Sequence, residues 1–182
     1  MPRRNPRRLD ADGLWQFALR TLGGRAHSIA ELRDKLRRRA ERAEDVAAVL
    51  ARLKQHGYLD DRRFAETFAA ARRDNQGLGR ARVLRELRSR RVAPELAERA
   101  VREAYRDVDE AELIANFLAR KYRNVALPEF LAEPRNLAAA YRRLRLAGFQ
   151  APNILAVLRR YARQPEHLEA LEALEPEQSP EF

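Results

Sequence analysis

One pattern of letters recurs along this chain at an interval of about 50 to 57 residues. Glu86-Leu87-Arg88 through Val92 to Pro94-Glu95-Leu96 aligns with Arg143-Leu144-Arg145 through Phe149 to Pro152-Asn153-Ile154, with a slip of one residue. Lys35-Leu36-Arg37 leading to Asp45-Val46 is a looser first copy. A period of this length marks a repeat architecture, in which like units stack and each buries its apolar face against its neighbours. The apolar spacing within each period decides what the unit is made of.

In the first period Leu14, Phe17, Ala18, Thr21 and Leu22 fall at i, i+3, i+4, i+7 and i+8, one face of a helix. This predicts a helix from about Gly13 to Leu22, capped by Asp12 and ended by Gly23-Gly24. Ser28-Ile29-Ala30-Glu31 matches a capping box and opens a second helix with Ile29, Leu32 and Leu36 on one stripe. Val46, Val49, Leu50 and Leu53 make a third, stopping at Gly57.

The second period starts at Leu59-Asp60, with Asp60 as N-cap and Leu59 spaced to staple on Phe64. Phe64, Phe68 and Ala71 are expected on its inner face, and Gly77-Leu78-Gly79 is a break. Val83, Leu84 and Leu87 mark the next helix. Pro94 opens another, with Ala97, Ala100, Val101, Ala104 and Tyr105 inward.

The third period runs from Asp109 through Leu113, Ile114, Phe117 and Leu118 to a longer connection holding Pro128 and Pro134. Leu137, Tyr141 and Leu144 follow, then a break at Gly148-Phe149 and a helix with Ile154, Val157, Leu158 and Tyr161. The expected organisation is a basic flexible arm (1–10), three-helix repeats at 11–58, 59–108 and 109–163, and an acidic tail at 164–182 with Leu168, Leu171 and Leu174 at helical spacing. The fold class is all-α, tandem three-helix repeats in an elongated, curved array. Seven glycines and an Ala, Leu, Arg and Glu excess agree with helix throughout.

Chemistry-bearing residues are sparse. The chain has no cysteine, which excludes disulfides and thiol nucleophiles and accords with a reducing compartment. Its three histidines, His27, His56 and His167, lie in separate segments without metal-ligand spacing. There is no phosphate-cradling glycine loop, and Ser28 is occupied as a cap. We expect a non-enzyme without cofactor or metal. The basic N-terminus has no apolar stretch behind it, and no segment approaches the ~18 apolar residues of a membrane span, so the expected location is cytoplasmic.

Arginine is abundant instead. Lys and Arg number 37 against 27 acids, and six of those acids (Glu166, Glu169, Glu172, Glu175, Glu177 and Glu181) lie in the tail. The rest of the chain sets 37 bases against 21 acids, a balance of +16, and attracts polyanions. The middle helix of each repeat carries the excess: Arg33, Lys35, Arg37 and Arg38 in the first; Arg80, Arg82, Arg85, Arg88 and Arg91 in the second; Arg142, Arg143 and Arg145 in the third. Between Pro134 and Arg163 there are seven arginines and no acid. Stacked repeats would join these faces into a band, the footprint of a nucleic-acid or nucleoprotein binder. Each arginine taken alone reads better as a solvated side chain, and only collectively do they point to a band. Aromatics do not interleave with them, and Trp15 lies off its helix's stripe, free to meet a neighbouring repeat or a partner.

Three segments resemble the RecX family: Arg25-Ala26-His27-Ser28-Ile29-Ala30-Glu31-Leu32-Arg33-Asp34-Lys35-Leu36; Gly57-Tyr58-Leu59-Asp60-Asp61-Arg62-Arg63-Phe64-Ala65; and Gly79-Arg80-Ala81-Arg82-Val83-Leu84-Arg85-Glu86-Leu87 followed by Val92. The likeness extends from about Leu14 to Tyr161 and is weakest in the third repeat. The turn Arg39-Ala40-Glu41-Arg42 lacks an expected glycine, and Arg80 stands where proline is common. The resemblance implies an elongated monomer of three-helix repeats lying in the groove of a RecA recombinase filament on single-stranded DNA. It implies that the protein limits filament extension, ATP hydrolysis and strand exchange. The alternative is a sequence-tolerant DNA-binding protein acting on duplex directly.

Overall fold

In the computed structural model residues 8–162 and Leu168 are described. They form ten helices: α1 (Ala11–Gly24), α2 (Ile29–Arg37), α3 (Ala43–Gln55), α4 (Asp61–Gln76), α5 (Arg80–Ser89), α6 (Pro94–Ala104), α7 (Glu110–Lys121), α8 (Leu127–Ala132), α9 (Pro134–Ala147) and α10 (Ala151–Leu158). Among the described residues there is no strand, only a parallel bridge between Leu9 and Ala40. The chain divides into two compact bodies. The first takes residues to Ala69 with Glu86–Glu103; the second takes Ala70–Arg85 with residues from Ala104 onward.

In the first body Leu14 and Ala18 of α1, Leu32 and Leu36 of α2, and Val46, Val49, Leu50 and Leu53 of α3 close one core with Ala40 and Leu59. α1 starts two residues earlier than its glycine suggests. Asp10, not Asp12, is the N-cap, and its carboxylate accepts from the Gly13 N–H at 2.9 Å. The reason lies before the helix: Leu9 donates to the Arg39 carbonyl at 2.8 Å and accepts from Glu41 N–H at 2.9 Å, which fixes the entry point. Gly23 and Gly24 are the last helical residues rather than the break, because the chain turns extended only at Arg25. The capping box of α2 forms in both directions. Asp60 caps α4, accepting from the Arg62 and Arg63 N–H groups at 2.9 and 3.1 Å. On that helix Phe64, Ala65 and Ala69 are buried, whereas Ala71 faces solvent, against expectation.

In the second body Ile114 and Leu118 of α7, Leu131 of α8, Leu137, Ala140, Tyr141 and Leu144 of α9, and Ile154, Leu155, Val157 and Leu158 of α10 form the core, joined by Leu168. The connection expected between the third repeat's helices contains the short helix α8. Pro128 sits in its first turn and Pro134 opens α9, where a missing N–H leaves no helical bond unmade. Tyr105 is almost wholly buried. Its hydroxyl donates to the Leu78 carbonyl at 2.6 Å, and burial raises its pKa well above the ordinary phenol value.

Gly79 does more than break a helix. Its N–H donates to the Ala147 carbonyl at 2.9 Å and the Ala81 N–H to the Gly148 carbonyl at 3.2 Å, so the start of α5 packs backbone to backbone on the end of α9. A Cβ at Gly79 would stand 2.3 Å from the Gly148 carbonyl oxygen, and one at Gly148 (φ +93°) 2.3 Å from the Arg82 nitrogen. Only glycine fits this approach.

Candidate nucleic-acid interface

The basic residues singled out above fall into two sets, one in each body. In the first body they stand on α2 and on the end of α5. Leu32 and Leu36 lie one turn apart and point into the core, which leaves Arg33 and Arg37 on one flank of α2 and Lys35 and Arg38 on the other. The N-terminus of α2 is held by three segments at once. The Ser28 hydroxyl donates to the Arg90 carbonyl at 2.6 Å, the Ile29 N–H donates to Asp61 at 2.8 Å, and Glu31 accepts from Arg90 at 3.2 Å and from Arg25 at 3.3 Å. Burial pushes the Glu31 carboxyl up, but the hydrogen bonds from Arg25 and the Ser28 N–H, with the charge of Arg90, outweigh it and hold Glu31 below the ordinary carboxylate range. His27 is buried beside it, with Nδ1 3.5 Å from the Glu31 carboxylate. Burial and then the charge of Arg25 lower its pKa, and Glu31 only partly opposes them.

The two flanks of α2 border different concavities. Arg33 and Arg37 line a groove of about 320 Å3 with Lys54 of α3, over a floor of Ile29, Val46, Ala47, Leu50 and Ala51. No acidic residue lines it. Lys35 and Arg38 line a hollow of about 220 Å3 with Ser89 and Arg91, and Glu31 and Asp34 line it as well. Arg91 pairs with Asp34 and occupies a left-handed backbone conformation, φ 58°. Arg88 pairs with Glu98 at 3.0 Å. Among the described residues the side chains of Arg33, Arg37 and Arg38 make no hydrogen bond or ion pair, and all three are exposed.

In the second body the arginines stand on the first turns of α5 and on α9, and most are engaged by the fold. Arg80 donates to the Tyr105 carbonyl at 2.6 Å and lies 5.7 Å from that ring's centroid. Arg85 reaches the Leu146 carbonyl at 3.5 Å. Arg143 donates to the Tyr122 hydroxyl at 3.1 Å, and Arg145 donates to the Phe149 carbonyl at 3.1 Å. Arg82 and Arg142 are exposed, and Arg82 also has a partner within the protein. The twelve positions therefore differ in kind. Arg33, Arg37 and Arg38 present their charge outward, while Arg80, Arg143 and Arg145 also staple backbone or rings.

Sequence reasoning did not single out Lys54, which the α2–α3 packing brings into the Arg33/Arg37 groove. Its signal was present in the spacing: Ala47, Ala51 and Lys54 follow one another at i, i+4 and i+7 along the edge of α3. Among the described residues no group of three His, Asp or Glu side chains is arranged to hold a metal ion. No helix among them is long and apolar enough to cross a membrane.

Two family descriptions match the chain: RecX, first three-helix domain, over residues 15–53, and RecX, second three-helix domain, over residues 60–101. A protein of Trichlorobacter lovleyi named Regulatory protein RecX is 41% identical over 105 residues, which is 58% of this chain and 68% of that protein. The protein of the same name from Shigella sonnei is 39% identical over 115 residues, with the same two shares. The crystal structure of RecX from Lactobacillus salivarius superposes with a TM-score of 0.64 over 83% of this chain and 96% of that one, at 18% identity. A second crystal structure, of a regulatory protein RecX, gives a TM-score of 0.64 over 81% and 72%, at 20% identity. At such identities the two structures establish a shared fold.

Proposed function

This chain belongs to the RecX family of regulatory proteins, and from that premise we propose that it binds the RecA filament on single-stranded DNA and limits its extension, ATP hydrolysis and strand exchange. The carrying observation is the groove between α2 and α3. Arg33, Arg37 and Lys54 border it, no acid lines it, and the two arginines make no internal pair among the described residues. Cations whose partners lie outside the molecule suit a nucleoprotein surface, where each phosphate neutralised releases counterions. The apolar floor between them suits a protein side chain, so one groove serves a mixed protein–DNA surface. In this proposal the chain acts as a monomer of three repeats (11–58, 59–108 and 109–163), with Lys35, Arg38, Arg82, Arg85, Arg88, Arg91 and Arg142 extending the basic contacts.

The test is ATP hydrolysis by the cognate RecA on single-stranded DNA with substoichiometric amounts of this protein. Loss of hydrolysis well below one molecule per RecA supports a regulator acting on filament growth. Undiminished hydrolysis at equimolar protein, with salt-sensitive binding to duplex, would transfer the function to direct DNA binding.

A further inference from the structure

The segment Gly57-Tyr58-Leu59 leaves a large ring in solvent. Gly57 adopts φ +70°, and its N–H and that of Tyr58 donate back to the Lys54 and Leu53 carbonyls, both at 2.9 Å, closing the end of α3. Leu53 and Leu59 are buried on either side of the turn, so the backbone is fixed and Tyr58 is directed outward, 54% exposed. Two other rings stand with it. Trp15 of α1 lies 6.4 Å from Tyr58 and 5.9 Å from His56, and His56 lies 6.2 Å from Tyr58, centroid to centroid. The three pairs are inclined at 67°, 59° and 38°, an edge-to-face and tilted cluster that holds the rings in place while the exposed part of Tyr58 stays open to solvent.

Two guanidinium groups are fixed at the same place. Arg52 lies 4.0 Å from the centroid of Trp15, and Arg63 donates to the Gly57 carbonyl at 2.9 Å. The two carboxylates that follow the turn are engaged: Asp60 caps α4, and Asp61 accepts from the Ile29 N–H.

We propose that Tyr58, with Trp15 and His56 beside it, is a stacking site for the bases of single-stranded DNA, with Arg52 and Arg63 taking the adjoining phosphates. The inference rests on the nucleic-acid reading above and deepens it by naming the face of the nucleobase as the ligand. The chemistry fits one occupant best. A nucleotide carries a flat π-face and an anionic group on one short tether, and this patch sets fixed cations among aromatic rings. Bases offer those faces when unpaired, so the site favours single strands over duplex.

Trp15 is the sole tryptophan of the chain, so its emission reports on this patch alone. Titration of the full-length protein with a thymidine oligonucleotide of about twenty residues should quench that emission to saturation, in step with fluorescence anisotropy of a labelled strand. Tyr58→Ala should weaken single-strand binding roughly tenfold, Tyr58→Phe should retain it, and duplex binding should change less than twofold in either. An abasic strand of equal length, which keeps the phosphates, should bind the unaltered protein about tenfold more weakly, a readout independent of any variant's folding. Unquenched Trp15 on a saturated strand, equal binding of abasic and thymidine strands, or equal losses on single strand and duplex would overturn the site. If the unaltered protein still suppresses RecA hydrolysis in that case, only this inference falls. If it neither suppresses hydrolysis nor binds single strands, the proposed function falls as well.

Discussion

His27 and Glu31 lie against each other at the start of α2, and both titrate below their ordinary values. For His27, burial and Arg25 favour the neutral ring in the folded state. Its contribution to stability is therefore complete above the ordinary imidazole value near 6.5 and declines as pH falls below it, because the unfolded chain takes the proton first. Glu31 follows at lower pH: its contribution is complete above 4.5 and is lost as acid protonates the carboxylate that Arg25 and Arg90 hold charged. Denaturant titrations between pH 7.5 and 5 should show a fall in stability that His27→Gln largely removes, leaving the Glu31 phase below pH 4.5. A His27→Gln protein with an unaltered pH 5–7.5 slope would contradict the assignment. None of this was legible locally. His27 read as one of three scattered histidines, and Arg90, which holds Glu31, lies 59 residues further along the chain.

At the scale of elements, α2 and α9 carry similar letters but different roles. Arg33 and Arg37 make no internal bonds among the described residues, whereas Arg143 and Arg145 bond Tyr122 and Phe149. Arg33→Ala/Arg37→Ala should leave the melting temperature nearly unchanged and reduce the salt dependence of single-strand binding by about 1.4 in log–log slope, two phosphates' worth. Arg143→Ala/Arg145→Ala should lower the melting temperature instead. Equal slopes for the parent and the α2 variant would remove Arg33 and Arg37 from the interface. Charge patterning located both helices but could not separate them, because the difference lies in which acceptor each side chain meets in the fold, the Tyr122 hydroxyl for Arg143 and the Phe149 carbonyl for Arg145. The helices themselves were readable wherever apolar residues kept a 3.6-residue period and a cap or proline marked the start: α2, α4, α6 and α7 begin within one residue of the cues Ser28, Asp60, Pro94 and Asp109. α8 was missed because it is only six residues long and its prolines read as a connection. Gly79 was read as a break for its flexibility, and its tighter role depends on Gly148, 69 residues away. Gly79→Ala should cost about 2–3 kcal/mol by forcing α5 off α9, seen as a lowered denaturant midpoint. A midpoint within error of the parent would show that the approach relaxes freely.

For the whole molecule the governing quantity is the opposition of charge between the +16 of residues 1–163 and the six glutamates beyond them. The tail expected at 164–182 lies outside the described residues apart from Leu168, which is buried in the second body's core with Ile154 and Leu158. That contact decides how the tail's charge is to be tested. Truncation after Arg163 would remove a core leucine with the acids and confound stability with electrostatics. Replacing Glu172, Glu175, Glu177 and Glu181 by Gln takes away four negative charges and leaves Leu168 in place. The net charge then rises from +10 to +14. If the acids compete with phosphate for the basic surface, this variant should bind duplex DNA severalfold more tightly at about 50 mM salt, with the advantage shrinking as the Debye length falls below ~10 Å. Its melting temperature should match the parent's, because the buried Leu168 is kept. Unchanged affinity at low salt would mean that the glutamates serve solubility alone. A gain that persists at high salt would mean that they act by a contact that screening does not reach.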